Sequence, residues 1–434
     1  MSNKNKSTAA MEVAQPALMP SLRFPEFESA GDWTTVKLGS VATINTEKVG
    51  NNICVPMSIT SGVGLVRQED KFGRVIAGDS YKNYLLLKPN EFAYNKSATK
   101  EYPEGFLTLY SGTELAGVPN SIFTCFRING ESPDVRFLNY QFWNNLHGRW
   151  LRKFIQVGAR AHGSLSINDS DLMALPVPVP AGTTSVAEQQ KIADCLSAVD
   201  ELIAAQVRKV DALKTLKNGL MQQLFPRDGE TLPRLRFPEF QGVGEWEDQA
   251  VGDFGEVVTG STPSTAQPVF YGGDVPFVSP ADISDMRFVD QTKTTLTAAG
   301  FAETRHIRAG AVLFVCIGST IGKVAQTLHD CATNQQINAV VPSSKHSDGF
   351  VYFALSLASE RIALLAGKQA VPIINKSIFS SVRLRAPRLP EQERIAACLG
   401  SLAALVAAEA QKLEAIKTHK RGLMQQLFPF LEEK

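Results

Sequence analysis

GLMQQLFP occurs twice in the chain, at residues 219–226 and again at 422–429. Both copies continue upstream through similar segments, KVDALKTLKN and KLEAIKTHKR. Further upstream, EQQKIADCL at 188–196 corresponds to EQERIAACL at 391–399. Because an eight-residue identity does not recur by chance in 434 residues, the chain contains an internal duplication.

A second pair of matches marks where each copy begins. LRFPEF stands at 22–27 and at 235–240, and Trp33 and Trp246 follow the two copies at the same distance. Between entry segment and helix lie two dissimilar bodies of roughly 150 residues, each large enough to form a domain. Within the two bodies, Asn168 aligns with Asn375 ahead of a short helix and a strand. The sequence therefore predicts two copies of one layout with different interiors.

The matched segments predict two unusually long helices. Apolar residues in 187–224 and 390–427 recur at alternating spacings of three and four, which is a heptad seam. About 38 residues at 1.5 Å per residue give roughly 57 Å. The predicted interface residues are Ile192, Leu196, Val199, Ile203, Val210, Leu213, Leu220, Ile395, Leu399, Leu402, Val406, Leu413, Ile416 and Leu423.

Flanking residues refine this helix prediction. Ser185 and Glu188 have the spacing of a capping box at the first start. Pro226 and Pro429 end the helices, since the residue before a proline avoids the α region. Three further apolar residues are expected to widen the first seam: Leu202, Val207 and Leu216.

The resulting fold class is α+β. Two globular α/β domains are separated by two long antiparallel helices that form a coiled-coil-like spacer, and a pseudo-twofold axis relates the copies. The alternative is a self-contained helical hairpin on each domain, which the separation of about 200 residues disfavours. The predicted boundaries are a disordered leader at 1–20, domains at 21–184 and 227–388, and spacer helices at 185–226 and 389–430.

Composition narrows the function classes. The net charge of +1 neither requires nor excludes a nucleic-acid partner, because a basic face can be balanced by an acidic one. None of the six cysteines forms a CxxC pair, so neither a metal site nor a disulfide framework is expected. The N-terminal segment lacks a signal-peptide core, and no stretch has the continuous apolar length of a membrane span. We expect a cytoplasmic protein.

The sequence offers no catalytic motif. GSTIGKV at 318–324 resembles a phosphate-binding loop, but it has one residue too few before the lysine, and Val324 replaces the serine or threonine that would hold Mg²⁺. No methyltransferase or helicase signature is present, and no catalytic dyad is identifiable. We therefore expect neither a catalytic residue nor a cofactor.

Together, these features resemble the specificity subunit of a Type I restriction–modification enzyme. The resemblance runs from Ser21 to Leu431 and rests on LRFPEF with its tryptophan, on EQ(Q/E)(K/R)IA and on GLMQQLFP. The second body adds TGSTPST, VPFVSPADI, GSTIGK and NQQINAVVP, which resemble a common variant of the family's target recognition domain.

The resemblance implies that each domain recognises one half of a bipartite site in double-stranded DNA, while the paired helices fix the gap. It also implies two methyltransferase subunits as partners, for adenine methylation, and two motor-nuclease subunits for restriction. The subunit itself would be non-catalytic. Polar loop residues are the candidate DNA contacts: Lys96, Lys100, Arg160, His162, Ser319, Thr320, Lys323, Lys368 and Gln369.

Two other classes compete with this hypothesis. One is a two-domain adaptor, held by a helical rod, that binds protein or small ligands rather than DNA. The other is a nucleotide-dependent enzyme, which the motif failures weaken. Basic residues gathered on one face of the bodies would favour DNA, whereas an acidic or apolar face would favour the adaptor.

Overall fold

The computed structural model describes residues 18–60, 62–155, 165–367 and 371–430. Contacts divide the chain into two compact units. Unit 1 comprises Met1–Ala204 and Glu414–Lys434, and unit 2 comprises Ala205–Leu413. Each unit therefore contains one globular body together with parts of both long helices.

In unit 1, short strands and helices precede the first long helix. Turns of 3-10 helix lie at Pro25–Phe27, Gly78–Asn83 and Arg152–Phe154. The strands are β1 (Thr34–Lys37), β2 (Ala42–Asn45), β3 (Val55–Thr60), β4 (Gly64–Arg67), β5 (Leu85–Leu87), β6 (Phe92–Asn95), β7 (Phe106–Leu109), β8 (Ala116–Val118), β9 (Phe123–Ile128) and β10 (Pro176–Val179). The helices are α1 (Leu38–Val41), α2 (Gln68–Phe72), α3 (Val135–Trp143), α4 (Leu146–Leu151), α5 (Asp169–Met173) and the long α6 (Ser185–Leu224).

The core of unit 1 lies between its main sheet and its helices. That sheet has the order β2-β9-β6-β7 and is antiparallel throughout. A second sheet has the order β4-β3-β8-β5, and β1 pairs with β10. Phe92, Phe126 and Phe142 pack ring against ring in the core. Trp33, from the repeated entry segment, is buried against Phe137 of α3.

Unit 2 repeats this layout with other residues. Turns of 3-10 helix lie at Pro238–Phe240 and Pro268–Phe270. The strands are β11 (Glu247–Ala250), β12 (Gly255–Thr259), β13 (Tyr271–Val278), β14 (Phe288–Val289), β15 (Thr294–Leu296), β16 (Val312–Val315), β17 (Val324–Thr327), β18 (Ala332–Thr333), β19 (Ile337–Pro342) and β20 (Arg383–Ala386). The helices are α7 (Val251–Phe254), α8 (Ala298–Ala302), α9 (Asp348–Ala363), α10 (Lys376–Ser381) and the long α11 (Leu389–Leu427).

The main sheet of unit 2 has the order β12-β19-β16-β17-β14. Its centre, β16, is buried along its whole length, as expected for a strand that is covered on both faces. A second sheet has the order β15-β13-β18, and β11 pairs with β20 as β1 does with β10. Trp246 packs in the core against Phe225 and Phe350.

The two long helices run antiparallel within each unit, which confirms the predicted fold class. In unit 1, Asp200 of α6 pairs with Lys420 of α11, and Ile192 and Leu196 share a buried cluster with Leu427. In unit 2, Gln206 bonds to Glu409, while Leu224 shares a cluster with Leu399. The residues of the predicted seam are all buried or half-buried.

Two details of the prediction for the first long helix are wrong. Leu202, Val207 and Leu216 do not widen the seam, because they lie on exposed positions of α6. Ser185 and Glu188 do not form a capping box. The serine hydroxyl donates to the carbonyl of Pro180, and the glutamate carboxylate accepts bonds from the entry segment instead.

Residues 137–154 have the apolar pattern of one amphipathic helix, but two separate helices share them. Helix α3 ends at Trp143, and α4 begins at Leu146. Asn145, between them, has a φ of 61°, a left-handed conformation that asparagine tolerates better than most residues. A single periodic pattern thus covers two helices, because both bury apolar residues.

Helix α11 is, among the residues that the structure describes, the one helix long and apolar enough to cross a membrane by length and composition alone. Only 11% of the qualifying window is buried, and Leu405 is exposed in its middle. The helix also carries Glu409, which bonds to Gln206 and Lys209 of α6. Some apolar residues of α11 therefore pack against α6, while others lie on an exposed face of the helix.

Candidate nucleic-acid interface

Buried arginine–glutamate pairs join each entry segment to its long helix. Arg23 of the first LRFPEF donates two bonds, of 2.8 and 2.7 Å, to the carboxylate of Glu188. Arg236 of the second copy makes the same two bonds, at the same lengths, to Glu391. All four side chains are at most 10% exposed. The bidentate geometry fixes the direction as well as the distance of the contact.

The glutamine that follows each glutamate holds the body of the unit. The side-chain oxygen of Gln189 accepts a bond from the backbone N–H of Asp134, just before α3. Gln392 does the same for Ser347, just before α9. The repeated EQ pair therefore ties one helix to two parts of a domain, which explains why both residues recur.

The repeated octamer completes each junction from the other long helix. In unit 1 the backbone N–H of Leu22 donates to the carbonyl of Gln426, and in unit 2 that of Leu235 donates to Gln223. Met221, Leu224 and Phe225 are buried in the core of unit 2, and Met424, Leu427 and Phe428 in that of unit 1. Their apolar side chains are thus used inside the chain.

The candidate interface of unit 2 lies at one edge of its main sheet. Antiparallel pairing places the ends of β12 and β16 beside the beginnings of β17 and β19. Strand β14, parallel to β17, begins at the same edge. The loops that connect these strands therefore emerge together, and they carry the polar residues of TGSTPST, GSTIGK and NQQ.

Hydrogen bonds join these loops into one surface. The backbone N–H of Ser261 donates to the carbonyl of Thr333, and Cys316 donates to Gln336. The hydroxyl of Thr262 lies 2.7 Å from the side-chain oxygen of Gln335. We call this surface, formed by the loops at 260–265, 316–323 and 334–336, the polar edge of unit 2.

Three predicted DNA-contacting residues lie on this polar edge. Ser319 is exposed and Thr320 half-buried in the loop between β16 and β17. Lys323 is exposed, but its ammonium donates to the carbonyl of Ile283 at 2.8 Å. Its charge is therefore displayed at the surface while one of its three hydrogens holds a neighbouring loop.

The GSTIGK loop differs from a phosphate-binding loop in structure as well as in spacing. It leads into strand β17, whereas a phosphate-binding loop opens a helix whose free N–H groups face the anion. Gly318 and Gly322 both have φ of 95°, a conformation that favours glycine. Its glycines thus shape a tight connection between two paired strands.

Unit 1 has a corresponding polar edge at the same end of its main sheet. Strands β2 and β6 end there, and β7 and β9 begin there. Lys96 and Lys100 lie in the loop between β6 and β7, which corresponds to the GSTIGK loop of unit 2. Lys96 is half-buried and Lys100 exposed. The predicted lysines of unit 1 and the predicted residues of unit 2 thus occupy equivalent loops.

The other four candidates, Arg160, His162, Lys368 and Gln369, lie outside the described residues. The segments that follow them are described, and each bonds to the loop just discussed. In unit 1 the N–H of Leu165 donates to the carbonyl of Lys96, and in unit 2 that of Ile374 donates to Cys316. The matched segments therefore return to the polar edge in both units.

The sequence prediction missed several residues of the polar edge. Gln335 is exposed and Thr262 fixes its amide, and the guanidinium of Arg305 donates to the carbonyl of Thr259 at 2.8 Å. Asn334 and Gln336 bond to each other. The signal is present in the sequence, since all of these residues except Arg305 lie in the motifs TGSTPST and NQQINAVVP. What the sequence did not show is that the two motifs meet.

Two buried titratable groups have pKa values shifted by their burial. Burial lowers the pKa of His147 in unit 1 to about 4, and its Nε2 faces the carbonyl of Gly105 at 3.3 Å. Burial raises the pKa of the Cys316 thiol to about 11. Within the described ranges, no group of three or more histidine, cysteine or acidic residues has the spacing of a metal site.

Comparison with known proteins matches part of the chain to a described family. Residues 244–418 match the family described as the Type I restriction modification DNA specificity domain. The specificity subunit of the Type I restriction enzyme HindI, from Haemophilus influenzae, is 34% identical over 147 residues, which are 33% of this chain and 32% of that protein. The MjaIX specificity subunit, from Methanocaldococcus jannaschii, is 27% identical over 161 residues, 36% of this chain and 37% of that protein. These matches thus span about a third of each relative.

Solved structures support the fold along nearly the whole chain. The S subunit of a Type I restriction–modification system from M. genitalium aligns with a TM-score of 0.59 at 14% identity, and the alignment covers 96% of this chain and 100% of that one. A chain from a study of complex assembly and conformational transition in the type I R-M system aligns with a TM-score of 0.53 at 18% identity. That alignment covers 92% of this chain and 97% of the other.

Proposed function

We propose, from the premise that the chain belongs to the family of Type I restriction–modification specificity subunits, that it recognises a bipartite site in double-stranded DNA. Each polar edge would recognise one half of the site, and the antiparallel helices would fix the gap between the halves. The observation that carries this proposal is the presence of two equivalent polar edges with different residues, each held to the same helix pair by identical buried contacts.

The chemistry of the polar edges suits contact with bases and phosphates. Lys96, Lys100, Ser319, Thr320 and Lys323 provide donors for phosphate oxygens and for acceptors on base edges. Amide side chains such as that of Gln335 pair with adenine in the major groove. Arg160, His162, Lys368 and Gln369 remain candidates from their place in the sequence. The different residues of the two units fit an asymmetric site.

The same proposal includes the partners. Two methyltransferase subunits would bind this non-catalytic subunit for adenine methylation, and two motor-nuclease subunits would join them for restriction. The uncovered apolar positions of the spacer helices, Leu202, Val207, Leu216 and Leu405, are surfaces that such subunits would cover. The assembly would act on DNA in the cytoplasm, without a cofactor or metal of its own.

A domain exchange tests the proposal. Residues 235–385 would be replaced by the corresponding segment of a relative, and methylated adenines would be located by sequencing the genome of a cell that carries the complete system. We expect one half-site to change, while the other half and the gap stay as they were. A change in both halves would refute independent recognition, and unchanged halves would assign recognition elsewhere.

The adaptor remains the second candidate function, and the exposed apolar positions of the helices are the observation that favours it. It predicts that the purified chain, with its methyltransferase partner, shows no preference among DNA sequences. A selection from random duplexes distinguishes the two candidates.

A further inference from the structure

A pocket in unit 2 is lined by four arginines. It has a volume of about 630 Å³ and lies where the end of α6 meets β11, β20 and α9. The arginines, Arg227, Arg361, Arg383 and Arg385, come from three separate parts of the sequence. Asp228 and Asp248 are the only acidic residues in the lining, so the pocket carries an excess of positive charge.

Only part of this charge is neutralised locally. The guanidinium of Arg383 lies 3.1 Å from the carboxylate of Asp248. Arg361 is 4.0 Å from Asp228 and also donates to the backbone carbonyl of Arg383. Among the described residues, no carboxylate lies within 4.0 Å of the guanidinium of Arg385, which donates to the carbonyl of Trp246 at 3.3 Å. The carboxylate of Asp228 is 91% exposed, so its long contact neutralises Arg361 only weakly. The guanidinium groups of Arg361 and Arg385 therefore remain for an anionic ligand.

The rest of the lining is apolar. Phe225, Ala354, Ala358 and Leu384 are buried beneath the arginines, and Leu357 is 39% exposed at the side. A phosphodiester backbone offers only small sugar C–H groups to such a floor. A peptide that presents a carboxylate next to an apolar side chain satisfies both parts of the lining.

Unit 1 lacks equivalents of Arg383 and Arg385. The pairing of β11 with β20 corresponds to that of β1 with β10, which places Arg383 and Arg385 where unit 1 has Pro176 and Pro178. Asp248 likewise corresponds to Thr35. A contact that both recognition domains made with DNA phosphates would be expected in both units. The ligand is therefore one that binds unit 2 alone.

We propose that this pocket, the arginine pocket, binds an acidic peptide segment of another protein. A carboxylate of the peptide contacts Arg361 and Arg385, and a neighbouring apolar side chain packs on Leu357 and Leu384. The proposal extends beyond DNA recognition, because it assigns to one unit a protein contact that the pseudo-twofold layout does not repeat.

The test uses labelled peptides and the full chain, in complex with its methyltransferase subunits if the chain requires them for solubility. The probe is a fluorescein-labelled hexapeptide of alternating leucine and glutamate, and fluorescence anisotropy measures its binding. We expect saturable binding that weakens roughly tenfold in Arg385→Ala and more in the double variant Arg361→Ala/Arg385→Ala. The matched control, Arg67→Ala in unit 1, removes another half-exposed arginine and leaves binding unchanged.

Two further peptides separate the parts of the pocket. Replacing glutamate by glutamine removes the charge and should abolish most of the binding, whereas replacing leucine by glycine should weaken it through the lost apolar contact. Absence of saturable binding, or equal binding to Arg385→Ala, overturns the proposal. It is also overturned if inorganic phosphate displaces the peptide and the double variant loses affinity for duplex DNA, since the pocket is then a phosphate site.

Discussion

In both units the same repeated residues join the entry segment to a long helix, but the residues around this junction differ. In both units, an arginine of LRFPEF forms an ion pair with a glutamate near the start of a long helix. In unit 1, however, Glu188 also accepts a bond from the indole of Trp33 at 3.2 Å. In unit 2 the indole nitrogen of Trp246 is buried without a partner in the described residues. Duplication preserved the ion pair, while its surroundings diverged.

A larger difference lies one step further along the helices. In unit 1, Asp200 accepts bonds from Tyr140 of α3, at 2.8 Å, and from Lys420 of α11, at 2.6 Å. The corresponding positions in unit 2 are Phe353, Ala403 and Lys217, which cannot form that network. There the guanidinium of Arg287 lies over the rings of Tyr352 and Phe353 instead. A polar network joins one body to the helices, whereas the corresponding site of the other body holds a cation on its own aromatic rings.

The largest expected effect is the loss of a shared ion pair. Glu188→Ala leaves the guanidinium of Arg23 buried and uncompensated, so we expect unit 1 to lose about 3–5 kcal/mol of stability. Glu391→Ala should do the same to unit 2, but less severely, because no tryptophan loses a bond there. Hydrogen exchange on peptides of each unit measures the two effects separately. Losses below about 1 kcal/mol in both would show that the pairs do not hold the junctions.

A smaller effect distinguishes the units by pH. Burial lowers the pKa of His147 from 6.5 to about 4, with a smaller lowering from Arg149 and an opposing effect from Glu104. A depressed pKa means that the neutral form is favoured by folding. The contribution is therefore complete above pH 6.5 and is lost as the pH falls toward 4, by up to about 3 kcal/mol in unit 1.

Replacement of this histidine checks the sign. His147→Phe keeps the ring among Tyr94 and Phe142, and it should flatten the dependence of unit 1 on pH between 6.5 and 4. Hydrogen exchange during thermal unfolding, measured at a series of pH values, gives the slope of stability against pH for unit 1. Unit 2 serves as the internal reference. An unchanged slope in the variant would assign the acid sensitivity to other groups.

The smallest expected effect comes from a comparison of two lysines at corresponding positions, Lys420 in unit 1 and Lys217 in unit 2. Lys420→Met removes a nearly buried partner of Asp200 and should cost about 2 kcal/mol in unit 1. Lys217→Met removes a charge whose pKa is lowered chiefly by burial, so it should leave unit 2 within about 0.5 kcal/mol of the parent. Chemical denaturation of the two variants gives the comparison. Equal destabilisation would mean that Lys217 has a partner as strong as Asp200.

Sequence patterns predicted the large features because these repeat over many residues. The seam from Ile192 to Leu220 is long enough for its spacing to be unmistakable, and its copy in α11 confirmed the register. The contacts of individual side chains were harder to predict from the sequence. Leu202 and Val207 look equivalent to seam residues in sequence, and only the position of the partner helix decides that they are exposed.

The candidate interface was predicted in part for the same reason. Polarity placed Ser319, Thr320 and Lys323 in a loop after a buried strand, which the structure bears out as a location. Their likeness to Lys96 and Lys100 was not visible, because the bodies share no sequence there. The pairing of Thr262 with Gln335 joins residues more than seventy positions apart, a distance at which no local pattern operates.

By itself, the sequence determined that this protein consists of two copies of one layout joined by long helices, because repeats and heptads are local and periodic signals. Only the tertiary structure decided into which core each repeated segment packs. The octamer at 422–429 completes the core of the first unit, and the one at 219–226 that of the second. Tertiary packing also gathered the four arginines of unit 2. Such contacts join segments that are distant in the sequence. Burial and pairing geometry select these contacts, whereas local conformational preferences do not.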